Sequence, residues 1–177
     1  MQRYNIVNYY EYPADVVVQL LMETPNFYNL SDLPNVSTNK LLEERDLGDR
    51  KIIKVEWCVH GQMPTIVQKV VKPEMMTFIE DSIWDRTTRV YSTKIIPHFF
   101  KNVVNCSHKV ELTDNKDGRT KRVLSGFFEF KVPVIGPVFE GAVITHLKKN
   151  ADEDFKLSSR ALKQYIEKNG MPEIKKA

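Results

Sequence analysis

The feature that most constrains this chain is a change of period. From Val36 to Val132 apolar and polar residues alternate in short runs, and after Pro137 the apolar residues recur every three or four positions as far as Asn169. Period two marks strands with one dry and one wet face, whereas period 3.6 marks an amphipathic helix. Strands spaced about 10 to 15 residues apart, with no helix-length segment among them, form an antiparallel meander. The expected strands are 36–44, 51–59, 65–71, 75–85, 88–96, 103–112 and 121–132. Between them fall turn residues: Leu47-Gly48-Asp49, Gly61-Gln62-Met63-Pro64, Lys72-Pro73-Glu74, Pro97-His98 and Asp117-Gly118, the last being the sharpest hairpin signal.

Alternation also assigns faces. Ile53, Val55, Trp57 and Val59 share one side of their strand, as do Val104, Cys106, His108, Val110 and Leu112, and as do Leu124, Gly126, Phe128, Phe130 and Val132. Gly126 predicts a bend or bulge in the last strand. Ahead of the meander, residues 2–10 read as a first strand with Tyr4, Ile6, Asn8 and Tyr10 on one face. A short helix over 13–22 and a second short helix or turn over 26–33 follow it.

The C-terminal helix carries Ile144, Leu147, Ala151, Phe155, Ser158, Leu162 and Tyr165 as a continuous stripe, opposite Lys148, Lys149, Asp152, Glu153, Lys156, Arg160, Lys163 and Glu167. Glu140 lies near its positive N-terminal end, and Asn169-Gly170 followed by Pro172 stops it. A helix of about 33 residues spans roughly 50 Å, more than one sheet edge needs. It is expected to lie across a concave face. The fold class is therefore α+β: a curved antiparallel sheet wrapped round one long C-terminal helix, with two short helices after the first strand. A single domain over 1–170 and a frayed tail over 171–177 fit the chain length.

Composition excludes several functions. The 26 lysines and arginines are scattered among 23 acids for a net charge of +3, so nucleic acid is not an expected partner. The basic stretch 116–122 reads as a solvated hairpin. Cys58 and Cys106 fall inside apolar runs, as reduced cytosolic thiols do. Without a signal-peptide layout or a run of roughly 18 apolar residues, a cytoplasmic location is expected. No Gly-x-Ser-x-Gly, His-Glu-x-x-His, Cys-x-x-Cys or phosphate-cradling glycine loop occurs, so no cofactor, metal or catalytic residue is assigned.

The order of strand, short helices, meander and long helix resembles the START-like (helix-grip) superfamily over nearly the whole chain. The segment Gly126-Phe127-Phe128-Glu129-Phe130-Lys131-Val132-Pro133-Val134-Ile135-Gly136-Pro137-Val138-Phe139-Glu140 is similar to an uncharacterised START-like family. In that family the last strand runs into Val-Pro-x-x-Gly, with a Glu four positions on. Trp84 resembles its central Trp, while Pro137 replaces a second Gly. The hairpin over 43–49 lacks the glycine-rich loop of plant relatives, so phosphate binding there is not implied.

Such sheets leave volume beneath the helix, and the expected lining is Trp57, Phe78, Trp84, Tyr91, His108, Phe128 and Phe130 from the sheet with Phe139, Val143 and Leu147 from the helix. Trp57, Trp84, Tyr91 and His108 would supply polar handles. His60, His98 and His146 read as surface residues. The entrance is expected between the first half of the helix and the loops at 61–64 and 97–102. There the Phe99-Phe100 pair suits a lid or a transient membrane contact. Three readings follow: a carrier or sensor of a lipid-, sterol- or polyketide-like molecule, a polyketide cyclase/aromatase-like enzyme using a cavity acid or base, or a co-chaperone-type interaction module whose cavity is filled by its own side chains. Fold alone does not separate them, and oligomeric state is not legible.

Overall fold

The computed structural model describes residues 1–30, 33, 36–61 and 63–174. Seven strands, β1 (Gln2–Tyr10), β2 (Val36–Asp46), β3 (Arg50–Val59), β4 (Thr77–Asp85), β5 (Val90–Pro97), β6 (Val104–Asp114) and β7 (Thr120–Phe130), form one antiparallel sheet in the order β1-β7-β6-β5-β4-β3-β2. Helices are α1 (Ala14–Leu21), α2 (Thr65–Gln68) and α3 (Ile135–Asn169). At 35 residues, α3 is about 52 Å long. It packs on β1 and β7, and α1 fills the space against β6, β7 and α3. Among the described residues no helix is long and apolar enough to cross a membrane.

Two local expectations are corrected. The first is 65–71, which is not a strand but the one-turn helix α2 with its trailing turn. β3 is already paired on both sides, by β2 and by β4, so the sheet offers this segment no edge. Pro64 instead presents its carbonyl to the Val67 N–H at 2.8 Å, and Val67 and Val71, four apart, are both buried against the core. Secondly, Gly126 makes no bulge, since both its neighbours pair with it in unbroken register, Tyr4 from β1 and His108 from β6. The irregularities fall in β2, between Val36 and Thr38 and between Leu41 and Glu43. The segment 26–33, expected as a short helix or turn, forms turns over its described residues, Ser31 and Asp32 lying outside them. The tail is described to Ile174, with the Glu173 carbonyl accepting from the Gln19 amide at 2.9 Å; residues 175–177 lie outside the described set.

The junction into α3 explains the Val-Pro-x-x-Gly…Glu pattern. A Cβ at Gly136 would stand 2.4 Å from the Phe130 carbonyl oxygen, so only glycine lets the helix approach the strand end. One turn later the buried Glu140 accepts the Phe130 N–H through Oε1 at 2.8 Å, and its Oε2 is 2.9 Å from the Met1 amine. Both junction residues thus dock on the backbone of Phe130. Pro137 sits in the first turn of α3, where a missing N–H loses no helical bond. Val134 before it has φ 66 and ψ −55, with the Ile135 N–H bonded to the Pro133 carbonyl at 2.8 Å. That is the rare positive-φ γ-turn, occupied here by a β-branched residue.

The interior divides in two. One core gathers Tyr4, Cys106, Leu124, Phe128, Phe130, Phe139, Ile144 and Ala151 with α2, under the first half of α3. The other gathers Tyr10, Val16, Val17, Leu20, Trp84, Leu112 and Leu162 with α1, under its second half.

Candidate ligand cavity

Between these two cores lies a cavity of about 630 Å³, the volume of about 20 waters at about 30 Å³ each. The helical stripe is small or polar where it passes over this space: Asn150, Ala151 and Asp154 form that part of the wall. His60 and Phe99 at one end, and Thr24 and Asn26 at the other, are wall residues that are also exposed, marking where the cavity reaches the surface.

The structure brings Trp57, Phe78, Trp84, Tyr91, His108, Phe128, Phe139, Val143 and Leu147 into this wall. Phe130 is not part of it. Although its side chain is on the inward face of β7, it lies under the start of α3, with its ring 4.8 Å from Phe139 and 5.5 Å from Phe100. His60 is exposed at the end of β3, as expected, while also bordering the cavity. The surface assignment of His146 is corrected: its half-buried ring borders the cavity and lies so close over Gly61 that a Cβ there would meet it at 2.9 Å. His98 is in its turn at the surface, with Nε2 3.0 Å from Glu56 Oε2.

Of the four expected polar handles, Trp84 is already engaged. Its Nε1–H donates to Glu23 Oε1 at 2.8 Å, and Glu23 also receives Arg86 and, at 2.8 Å, Lys51. Burial opposes the charge on Glu23, yet the hydrogen bonds from Arg86, Lys51 and Trp84 outweigh it and hold its carboxyl down at about 2. Trp57 differs: it is 8% exposed, and its Nε1–H has no hydrogen-bond partner among the described residues. The same holds for the hydroxyl of Tyr4, which is 5% exposed and crosses over Gly126 towards His108.

Sequence reasoning missed the charged members of the wall. Glu80 shares the inward face of β4 with Phe78, Ser82 and Trp84, and burial pushes its carboxyl up to about 7. The Trp57 indole is near enough to favour its ionised form without making a hydrogen bond of ordinary geometry. Arg122 shares the inward face of β7; far from being part of a solvated hairpin, it is 6% exposed. Its Nη2–H donates to Asp154 Oδ2 at 2.8 Å, and Tyr28 donates to Asp154 Oδ1 at 2.6 Å, closing an ionic floor. Burial first, and then the charge of Arg122, lowers His108 to about 4, so at neutral pH it is an uncharged imidazole. Cys106 is pushed up to about 12 by burial and by Glu80, which makes it an inert thiol.

No family model matches the chain, and no curated protein sequence matches it. Solved structures do. A protein from Thermus thermophilus superposes with a TM-score of 0.65 at 13% identity, over 92% of this chain and 98% of its own. An aromatase/cyclase from Streptomyces sp. R1128 gives 0.65 at 13% identity, over 93% and 95%. The fold is a helix grip. An 18 kDa protein from Caulobacter crescentus shares it, with a TM-score of 0.63 at 13% identity over 93% and 97%. Coverage of both chains is nearly complete, so the helix grip accounts for the sheet, the short helices and α3 together. At such identity the likeness extends to the fold alone.

Proposed function

We propose that the protein binds a hydrophobic small molecule, of lipid-, sterol- or polyketide-like character, in the cavity between its two cores, as a cytoplasmic carrier or sensor. The observation that carries this reading is the cavity itself: about 630 Å³, walled mainly by aliphatic and aromatic side chains, with a few placed polar groups. An interaction module with a filled core would not keep such a volume open. Burying an apolar ligand there releases roughly 25 cal/mol per Å² of its surface, and a ligand that binds only the folded state raises the melting temperature by mass action. Native mass spectrometry of the purified protein, and melting curves with a fatty acid, a long-chain alcohol and a sterol, test the reading. Leu147→Trp, placed on the cavity face of α3, should abolish the shift, with a stability cost well below the roughly 1 to 3 kcal/mol of overpacking a tight core. A wild-type melting curve that no probe moves, together with a severely destabilised Leu147→Trp protein, would refute it.

A second reading has its own observation. Glu80 and His108 face the same cavity with protonation equilibria displaced in opposite directions, the arrangement that acid–base chemistry requires. One of the structural neighbours is an aromatase/cyclase. Under this reading Glu80→Gln would abolish turnover of a polyketide-like substrate while leaving its binding intact, and equal turnover by wild type and variant would exclude it.

A further inference from the structure

Two buried donors in the cavity wall have no acceptor at ordinary hydrogen-bond geometry among the described residues. Tyr4 Oη and Trp57 Nε1 belong to side chains that are 5% and 8% exposed, and neither has a hydrogen-bond partner among the described residues. A buried polar group without a partner is costly, on the order of 1 to 3 kcal/mol, so two such groups on the wall of one cavity need a reason. Core packing does not supply one. Phenylalanine in place of Tyr4 would avoid the penalty, and Trp84, elsewhere in the wall, shows that this fold can satisfy an indole N–H with a carboxylate.

Both donors line the same cavity as one carboxyl. The Glu80 carboxyl faces the cavity next to the Trp57 indole, and it lies within electrostatic reach of the Tyr4 hydroxyl and of Cys106. Arg122, the nearest cation in the wall, is committed to Asp154. The subsite therefore presents two donors and one carboxyl, with no uncommitted positive charge among these groups. A hydroxyl is the complement: its oxygen accepts from two donors, and its O–H donates to a carboxyl oxygen. When Glu80 is ionised, a ketone leaves it without a donor and a carboxylate adds a second negative charge beside it.

Resting on the cavity-binding reading above, we propose that the ligand carries a neutral hydroxyl, as an alcohol or phenol on an apolar body, seated between Tyr4 Oη, Trp57 Nε1 and the Glu80 carboxyl. The test is isothermal titration of the full chain at neutral pH with naphthalene, 2-naphthol and 2-naphthoate, which share one apolar body. The subsite predicts that 2-naphthol binds roughly tenfold more tightly than naphthalene, and that 2-naphthoate is the weaker of the two polar probes. In Tyr4→Phe and in Trp57→Phe the ratio of 2-naphthol to naphthalene affinity should fall roughly fivefold each. The ligand-free Tyr4→Phe protein should melt at or above the wild-type temperature, since the deleted hydroxyl bonds to no described group of the protein. Equal binding of naphthalene and 2-naphthol would overturn the subsite and leave the apolar cavity standing. Tightest binding of 2-naphthoate would overturn it in favour of an anion site, and a lower melting temperature for Tyr4→Phe would show that the hydroxyl was already paired. Failure of all three probes to bind would overturn the subsite and the cavity-binding reading together.

Discussion

Two titrating groups in the cavity pull stability in opposite directions over the same pH range, and Glu80→Gln separates them. A glutamate ordinarily titrates near 4.5, and burial moves Glu80 to about 7 in the folded protein. Between those values the folded chain holds a proton that the unfolded chain has lost, so raising the pH favours unfolding. His108 is the mirror case: ordinarily near 6.5, it is brought to about 4 by burial and by Arg122. From 4 to 6.5 the unfolded chain holds the extra proton, and raising the pH favours folding. Each contributes about 1.4 kcal/mol per pH unit, so from pH 4.5 to 6.5 the two terms, about 3 kcal/mol each and of opposite sign, nearly cancel. The carboxyls of Glu23 and Asp117, held near 2, act only below this range. Wild-type stability should accordingly be nearly flat from pH 4.5 to 6.5. Removing the carboxyl leaves His108 unopposed, so Glu80→Gln should gain about 3 kcal/mol across that interval and exceed wild type by about 3 kcal/mol at pH 7.5. Urea unfolding followed by tryptophan fluorescence at pH 4.5, 5.5, 6.5 and 7.5 measures this directly. A Glu80→Gln profile as flat as that of wild type, or a variant less stable at pH 7.5, would show that Glu80 is solvated or paired and that its burial has been misread.

Gly136→Ala should lose about 2 to 4 kcal/mol in urea unfolding, because its methyl group would sit 2.4 Å from the Phe130 carbonyl and push α3 off the strand end that Glu140 holds. Val134→Gly should gain about 1 kcal/mol in the same assay: relief of a positive-φ γ-turn, on the order of 1 to 3 kcal/mol, exceeds the entropy cost of a glycine. The phenylalanine pair at the mouth should divide its roles, since Phe99 is 44% exposed whereas Phe100 stacks edge-on against Phe130. Phe99→Ser should slow ligand exchange with liposomes at unchanged melting temperature, and Phe100→Ser should lower the melting temperature. Unchanged exchange in Phe99→Ser would end the case for a membrane-touching lid.

Alternation carried most of what the sequence revealed, and its one large failure has a physical cause. Thr65-Ile66-Val67-Gln68 has the β-branched content of a strand, but strand formation depends on an available edge, and β3 and β4 pair directly across the excursion. No local pattern reports that. Glu80 and Arg122 are a different kind of miss. They sit in step with Phe78 and Trp84 and with Leu124 and Phe128, so the pattern that identified the apolar wall also places both charges on it. A charged residue in phase with a dry face is a signal of its own, because burying a charge is tolerated only where something answers it. For Arg122 the answer is Asp154, 32 positions away on α3, a separation no spacing rule connects. For Glu80, Tyr4 and Trp57 the described residues supply no complete answer. The cavity was legible only as an expectation for the same reason. It depends on where side chains stop, as at Ala151, and such volume becomes measurable only once the helix has been laid across the sheet.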